Sequence, residues 1–397
     1  MHGSERLKKP ADGDCVARAR RVAEVLAAGA ARIEDARTLP PDLLDAMHEG
    51  RLFRLLLPFS LGGDELDPVT LAQVTEVIAA ADASAAWCIG QASGCAMTAA
   101  SLEPEVAQRV FGPRDAVLAW GAGAAGKAVA TDGGYRVTGL WTFASGIRNA
   151  TWIGAHCKVF ERDGQPRLRP DGRQLERTAL FPRAETKIHD VWQVMGLRGT
   201  GSDSYEFSDQ FVADELTVDR EDLSDLHGAG PVFQFPGTHV YAAAFGGVML
   251  GIARGALNDL LTLATTKTQR GAATSMRESP VFQTQLAQLV ARHRAARHHH
   301  LGTLRDVWSE LEGGAALTLD HRTSIRLAAT HTIQQGVEIV TDAYRAAGQT
   351  AIFDAHPFER RLRDALTASQ QVQGRTTHYM TIGRHLLGLP PDTMMFL

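Results

Sequence analysis

Apolar and polar positions in residues 11 to 115 repeat with a helical period. Cys15 to Arg37 is rich in alanine and places Val16, Ala19, Val22, Val25 and Leu26 at helical spacing, which predicts one amphipathic helix. Asp42 to Glu49 follows a Pro40-Pro41 start, Pro68 opens a helix over Val69 to Ala81, and Ala85 to Ala100 predicts a further one. From residue 116 the pattern changes to short β-type runs: Ala116 to Trp120, Lys127 to Thr131, Tyr135 to Leu140, Ile153 to Phe160, Arg177 to Phe181 and Tyr205 to Val212. Gly133-Gly134 and Asp163-Gly164 separate two adjacent pairs as hairpin turns. After a Gly/Pro-rich passage at 227 to 238, long helical segments return at Tyr241 to Thr266, Val281 to Glu312 and Ser324 to Ala347. Long helices joined by short breaks favour a bundle. The predicted class is α+β in three domains: an N-terminal α-domain over 1–115, a central β-barrel or sandwich domain over 116–226, and a C-terminal helical bundle over 227–397.

Composition narrows the partners. The 397 residues allow a large core. Lys plus Arg number 41 against 45 Asp plus Glu, a formal charge of -4, so nothing asks for nucleic acid or an anionic membrane. Cys15, Cys88, Cys95 and Cys157 form no CxxC pair, which indicates neither a zinc site nor a disulfide scaffold; a reduced cytoplasm is the expected compartment. The first ten residues lead into a charged helix, so no signal peptide is expected. The most apolar run, Val240 to Leu250, is too short to span a bilayer.

Two glycine patterns invite a nucleotide and fail on context. Gly121 to Gly126 fits GxGxxG, yet Lys127 to Tyr135 reads as strand and hairpin where the dinucleotide fingerprint needs a helix. Ala128 stands where a Walker motif needs Ser or Thr. His293, His298, His299 and His300 lack an acidic partner at ligand spacing, and the segment reads as a solvated or subunit-facing helix surface rather than a metal site.

The strongest chemical signal lies in two strand ends about fifty residues apart. Thr138 to Gly146 and Trp192 to Ser202 each run into small, hydroxylated or glycine positions, where backbone N–H groups and a Ser or Thr hydroxyl can approach a flat polar ligand. These same residues, Trp141-Thr-Phe-Ala-Ser145-Gly146 and Gly196-Leu-Arg-Gly-Thr-Gly-Ser202, resemble the acyl-CoA dehydrogenase fold. Within it they resemble the two-component flavin-dependent monooxygenases, the group of the p-hydroxyphenylacetate hydroxylase oxygenase component. The similarity continues through Leu57 to Gly63, Ala81 to Trp87, Phe358 to Asp364 and Gly383 to Gly388.

The resemblance implies an N-terminal helical domain, a central β-barrel and a C-terminal four-helix bundle assembled as a homotetramer. It implies reduced FMN or FAD delivered by a separate flavin reductase, molecular oxygen as co-substrate, a C4a-hydroperoxyflavin, and a small aromatic or heteroatom-bearing substrate. Flavin contacts fall on Trp120, Trp141, Phe143, Ala144, Ser145, Gly146, Thr200 and Ser202. Ser145 can equally be a turn serine, and Trp141 and Phe143 can equally be core aromatics. The histidines that aromatic hydroxylases of this group carry fall on Cys95 and Gln371 here. Gln can only orient through hydrogen bonds; His378, two helical turns beyond, is either a displaced base or an ordinary surface histidine. A thioester dehydrogenase or oxidase would need a carboxylate base, and the two regions that could carry it contain only Asp392 and Asp259. The remaining alternative is a non-catalytic binding protein on the same fold.

Overall fold

The computed structural model describes residues 14–222, 226–227, 230–268, 271 and 274–394. Five helices come first: α1 (Cys15–Ala36), α2 (Pro41–Glu49), α3 (Pro68–Ala81), α4 (Ala83–Ala96) and α5 (Pro104–Phe111). Asp14, Asp67 and Asp82 cap α1, α3 and α4, each carboxylate accepting from a backbone N–H three residues on. Prolines open α2, α3 and α5, where the missing N–H costs nothing. The helix expected over Ala85 to Ala100 tightens to a 3-10 turn at Met97.

Eight strands follow: β1 (Leu118–Trp120), β2 (Gly126–Thr131), β3 (Gly134–Ala144), β4 (Trp152–Phe160), β5 (Glu176–Pro182), β6 (Lys187–His189), β7 (Asp203–Ala213) and β8 (Thr217–Val218). They form one sheet in the order β6-β7-β3-β2-β4-β5-β8, with β1 paired to β4. β6 and β8 were not expected; they are three and two residues long and too short to show a period of two. Gly133 turns β2 into β3 as expected, whereas β4 returns to β5 through two turns, at Gly164 and at Gly172. Phe181 on β5 stacks on Phe207 on β7 with ring centroids 4.1 Å apart, although three strands separate β5 from β7 in the sheet. The sheet is therefore rolled like a barrel around an aromatic core, with its edge strands left unpaired to each other.

Among the described residues five more α-helices follow: α6 (Gly237–Thr266), α7 (Pro280–Glu312), α8 (Leu319–Ala347), α9 (Phe358–Ser369) and α10 (His378–Leu386). The apolar run near Val240 belongs to a helix of 30 residues, long and apolar enough by length and composition to cross a bilayer, but 89% of its apolar window is buried in the fold. α6 is the axle of the core, packed by α3, α4, α7, α8 and α9. Two of the four α7 histidines correct a sequence expectation, while His298 and His299 stay exposed: His293 and His300 are buried, their Nε2 atoms 3.1 Å from the α6 carbonyls of Leu250 and Ala243. They tie α7 to α6 rather than lining a solvated face.

Candidate active site

β3 ends in a bulge. Its register against β7 slips between Trp141 and Ala144, and Phe143, in the middle of the slip, has φ +60°. A non-glycine residue rarely holds that conformation. Bulges re-aim side chains, and here the slip turns the Trp141 ring into the sheet's core while Phe143 points out. Trp141 is fully buried, stacked on Tyr205 at 5.3 Å, and donates its indole N–H to the His156 carbonyl. Phe143 is exposed and meets Trp192 edge-on. Of the three aromatics expected against a cofactor, Trp141 is thus a core ring and Phe143 a surface ring; Trp141 shapes the bulge from beneath.

Beyond the bulge, Ala144 and Ser145 are buried, and Gly146 adopts φ +82° and donates its N–H to the Thr200 carbonyl at 2.8 Å. That bond brings the two sequence motifs together. The Ser145 and Ser202 hydroxyl oxygens lie 2.7 Å apart, Ser202 lies 2.7 Å from the Thr200 hydroxyl, and Thr200 donates to the Leu197 carbonyl at 2.8 Å. From the other side, Trp87 of α4 donates its indole N–H to Ser145 Oγ at 3.1 Å. Three hydroxyls and one indole form a continuous buried chain.

The loop carrying Thr200 and Ser202 is locked from three directions. Asp203 accepts the backbone N–H groups of Val191 and Trp192 and pairs with Arg148 at 2.7 Å. Asp364 of α9 accepts the Leu197 N–H at 2.7 Å, and burial pushes its carboxyl up to about 7. Gly196 is a requirement of close approach, since a Cβ there would sit 2.2 Å from the Arg363 carbonyl oxygen.

An aromatic wall continues from the hydroxyl chain. Trp87 stacks on Phe245 of α6 at 4.0 Å, and Phe245 on Tyr241 at 5.6 Å. The Tyr241 hydroxyl lies 3.3 Å from Gln91 Nε2 and 3.9 Å from Cys95 Sγ. Burial pushes the Cys95 thiol up to about 12 and raises the Tyr241 phenol well above its usual range, so both stay protonated at neutral pH and neither serves as a base. Trp120 is buried beside them and meets the His156 ring edge-on at 4.7 Å; burial holds His156 neutral.

The two remaining expected residues flank the segment between α9 and α10: Gln371 begins its turn and His378 opens α10. Gln371 Oε1 accepts the Gln373 N–H at 2.7 Å, so its amide oxygen caps a 3-10 turn. His378 is buried rather than on the surface, with Nε2 2.7 Å from the Val372 carbonyl. A carbonyl only accepts, so this nitrogen carries a proton; burial lowers the ring's tendency to take a second one. Neither acid of the thioester alternative is at liberty: Asp259 pairs with Arg361, and Asp392 accepts from Thr381.

Trp87, Tyr241, Phe245, Asp364 and Gln373 are the participants that residue-by-residue reasoning did not assign a role. A usable signal existed for Trp87, the one large ring in the α4 run Ala-Ser-Ala-Ala-Trp-Cys-Ile-Gly-Gln-Ala-Ser-Gly-Cys-Ala; small neighbours mark close approach by another element.

Comparisons with known proteins identify the family and the fold. The acyl-CoA dehydrogenase N-terminal domain family matches residues 15–110, and the acyl-CoA dehydrogenase C-terminal domain family matches residues 243–373. The chain is 28% identical to an indole-3-acetate monooxygenase of Pseudomonas putida over 89% of each chain. It is also 28% identical to the oxygenase component of an FADH2-dependent resorcinol hydroxylase of a Rhizobium species, over 95% of this chain and 94% of the other. Among solved structures, XiaF from a Streptomyces species, in complex with FADH2 and glycerol, superposes with a TM-score of 0.87 at 26% identity over 96% of both chains. With its helical ends matched by both family descriptions and its rolled sheet between them, the chain belongs to the acyl-CoA dehydrogenase superfamily, in the branch of the flavin-dependent monooxygenases.

Proposed function

We propose that this chain is the oxygenase component of a two-component monooxygenase that takes reduced FMN or FAD from a separate reductase and oxygenates a small aromatic substrate. The observation that carries the reading is the polarity of the buried hydroxyl chain. With the Thr200 proton on the Leu197 carbonyl, the other two protons run from Ser145 to Ser202 and from Ser202 to Thr200. Ser145 already accepts from Trp87, so it keeps one lone pair and no free proton. It is a waiting acceptor. Reduced flavin offers an N5–H donor to such an atom, and the oxidised ring offers none, so the donor set fits the reduced form.

Bound there, reduced flavin supplies the two electrons that activate oxygen. The chain's own residues supply the rest. Ser145 holds the N5 proton in place by accepting from it, and Trp87 fixes Ser145. The stacked rings of Trp87, Phe245 and Tyr241 exclude water from the reaction space. Names of the relatives, an indole-3-acetate monooxygenase and a resorcinol hydroxylase, support an aromatic substrate. A thioester dehydrogenase is disfavoured because Asp259 and Asp392 are engaged elsewhere.

Flavin titration tests the reading: reduced FMN or FAD should bind roughly tenfold or more tighter than the oxidised form, the scale of one buried hydrogen bond. Protein that purifies with stoichiometric, non-dialysable oxidised flavin would overturn it. The same reading includes a homotetramer in a cytoplasmic setting. Large apolar side chains stay exposed on the C-terminal helices, among them Val281 on α7 and Met380, Leu386 and Leu387 at α10, and subunit contacts commonly cover such side chains. A monomer by light scattering at micromolar concentration would remove that part.

A further inference from the structure

Arg220 stands apart from the other arginines around it. Its neighbours in sequence, Asp219 and Glu221, turn to one side, where Asp219 pairs with Arg169 at 2.6 Å and Glu221 with Arg173 at 2.9 Å. Arg220 turns the opposite way. Its guanidinium lies 5.3 Å from the centroid of the Trp120 ring, and among the described residues it has no hydrogen-bonded or ionic partner. Its charge reaches Cys95, Tyr241 and His156 strongly enough to bias their titration, and none of these is an anion at neutral pH; the carboxylates of Glu176 and Glu221 act on it through space without forming an ion pair with it.

Two properties of the group look contradictory until they are read together. Surrounding protein atoms desolvate the guanidinium enough to lower its proton affinity, yet the side chain retains a large accessible surface. A group packed into the core would show the first alone, and a group on the outside the second alone. A group recessed among protein atoms and still open to solvent shows both. A cation in such a place is stabilised by an anion that reaches it.

The ring it faces belongs to the aromatic wall, since Trp120 packs in one cluster with Cys95 and Tyr241. Tyr241 packs so closely on α4 that a Cβ on Gly94 would sit 2.5 Å from its ring. Through Tyr241 and Phe245 the wall runs back to Trp87 and the hydroxyl chain. One end of the wall presents the Ser145 acceptor and the other a partnerless guanidinium over an indole ring. Guanidinium pairs with carboxylate through two parallel N–H donors.

We propose that Arg220 is the carboxylate-binding residue of the substrate site, and that the substrate is an aromatic acid whose ring lies along the Trp120 and Tyr241 wall. This rests on the monooxygenase reading above and deepens it, naming a substrate class that Ser145 alone does not specify. Arg220 recognises the ligand and takes no part in bond making.

Isothermal titration of the full chain, alone and with reduced FMN under anaerobic conditions, tests the proposal with two matched pairs of probes: indole-3-acetate against indole-3-acetamide, and phenylacetate against phenylacetamide. The acid of at least one pair should bind about tenfold to a hundredfold more tightly than its amide, the range of a charge-assisted hydrogen bond in a desolvated site. Arg220→Gln should erase that preference by weakening the acid alone, and Arg220→Lys should restore part of it. An unchanged melting temperature and unchanged affinity for reduced FMN in Arg220→Gln establish that the variant is folded. Equal binding of acid and amide, a preference that survives Arg220→Gln, or no binding of any of the four probes would each overturn the proposal. Oxygenation of uncharged indole, assayed with a flavin reductase, separates this from the reading it rests on. Indole turnover without an acid preference sinks Arg220 and spares the monooxygenase; an acid preference without oxygenation of any probe does the reverse.

Discussion

The hydroxyl chain beneath Trp87 and the turn between α9 and α10, with the His378 that opens α10, are both built from polar side chains, and they retain opposite hydrogen-bonding capacities. In the first, Ser145, Ser202 and Thr200 bond mainly to one another and end on a single carbonyl, so one lone pair of Ser145 is left over. In the second, Gln371 and His378 are engaged with the backbone of Val372 and Gln373, while the Gln373 amide bonds to Arg326 and to the Thr238 carbonyl. The turn holds its own shape and has little left for a ligand. Polar residue type alone therefore says little about chemistry; what remains after the local backbone is satisfied decides it.

Removing the spare acceptor should break the contrast most visibly. Ser145→Ala takes away the one acceptor aimed at an entering N–H and leaves the Trp87 indole N–H without its partner. A buried hydrogen bond lost in this way costs about 1–3 kcal/mol, which corresponds to a roughly tenfold to hundredfold fall in the ratio of oxygenated product to released hydrogen peroxide. Peroxide and product are quantified together per flavin oxidised. An unchanged ratio would return Ser145 to the status of a turn serine. Trp87→Phe keeps the stack on Phe245 and removes only the donor, so its effect should be smaller and in the same direction.

Asp364 joins the two regions, because it starts from α9 and holds Leu197 of the hydroxyl loop. Burial raises its carboxyl to about 7, with Asp82 and Glu34 nearby adding to the rise and the Leu197 N–H opposing it. The folded state thus keeps a proton that the unfolded chain releases near pH 4. Stability should fall as pH rises from about 4 to about 7 and level off above that, with a slope of at most ~1.4 kcal/mol per pH unit from this group. Asp364→Asn retains an acceptor for Leu197 and should flatten that part of the curve while raising stability at pH 8. Denaturant unfolding between pH 5 and pH 8 measures both, and an undiminished slope in the variant would place the proton elsewhere.

Sequence reached the first region far better than the second, for a physical reason. Ser145, Thr200 and Ser202 sit at strand ends whose glycines and hydroxyls are spaced locally, and the Gly146 bond to Thr200 joins two segments already adjacent in the sheet. Helix spans were legible for the same cause: Cys15–Ala36 carries its period within the segment and its cap in the adjoining Asp14, and the expected Tyr241 to Thr266 falls inside Gly237–Thr266. The bulge at Phe143 was not legible, because its positive φ comes from pairing with β7 and not from its neighbours in the chain. Trp141 was ambiguous for that reason, core ring or ligand contact, until the register decided it. His378 was read as either surface or base because its burial depends on α8 and the turn before α10. Tyr241 and Arg220 lie in elements that approach only when the bundle closes on the sheet.

His378→Phe should lose the Val372 carbonyl's partner and destabilise the protein by about 1–3 kcal/mol. Because burial lowers this imidazole's affinity for a second proton, the folded state binds fewer protons than the unfolded chain as pH falls through the usual histidine range. Wild-type stability should therefore decline from about pH 7 to pH 5 through this group, and the variant should lack that contribution. A variant as stable as wild type, with a lost ionisation in its rate profile instead, would make His378 a base after all.

Gln371→Ala should have the smallest effect. The substitution removes an amide oxygen that accepts one backbone N–H in a partly exposed turn, where water can substitute, so the cost should stay near 1 kcal/mol. Gln373 would keep the turn in register through Arg326 and Thr238. The rate profile against pH should be superimposable on that of wild type, since an amide does not titrate and no neighbouring ionisable group bonds to this oxygen. Product yield should fall by no more than a few fold, through a slightly looser turn. A displaced ionisation, or a loss of coupling as large as that of Ser145→Ala, would mean that the amide's free N–H₂ group meets substrate directly, and the turn after α9 would then have to be counted with the hydroxyl chain rather than against it.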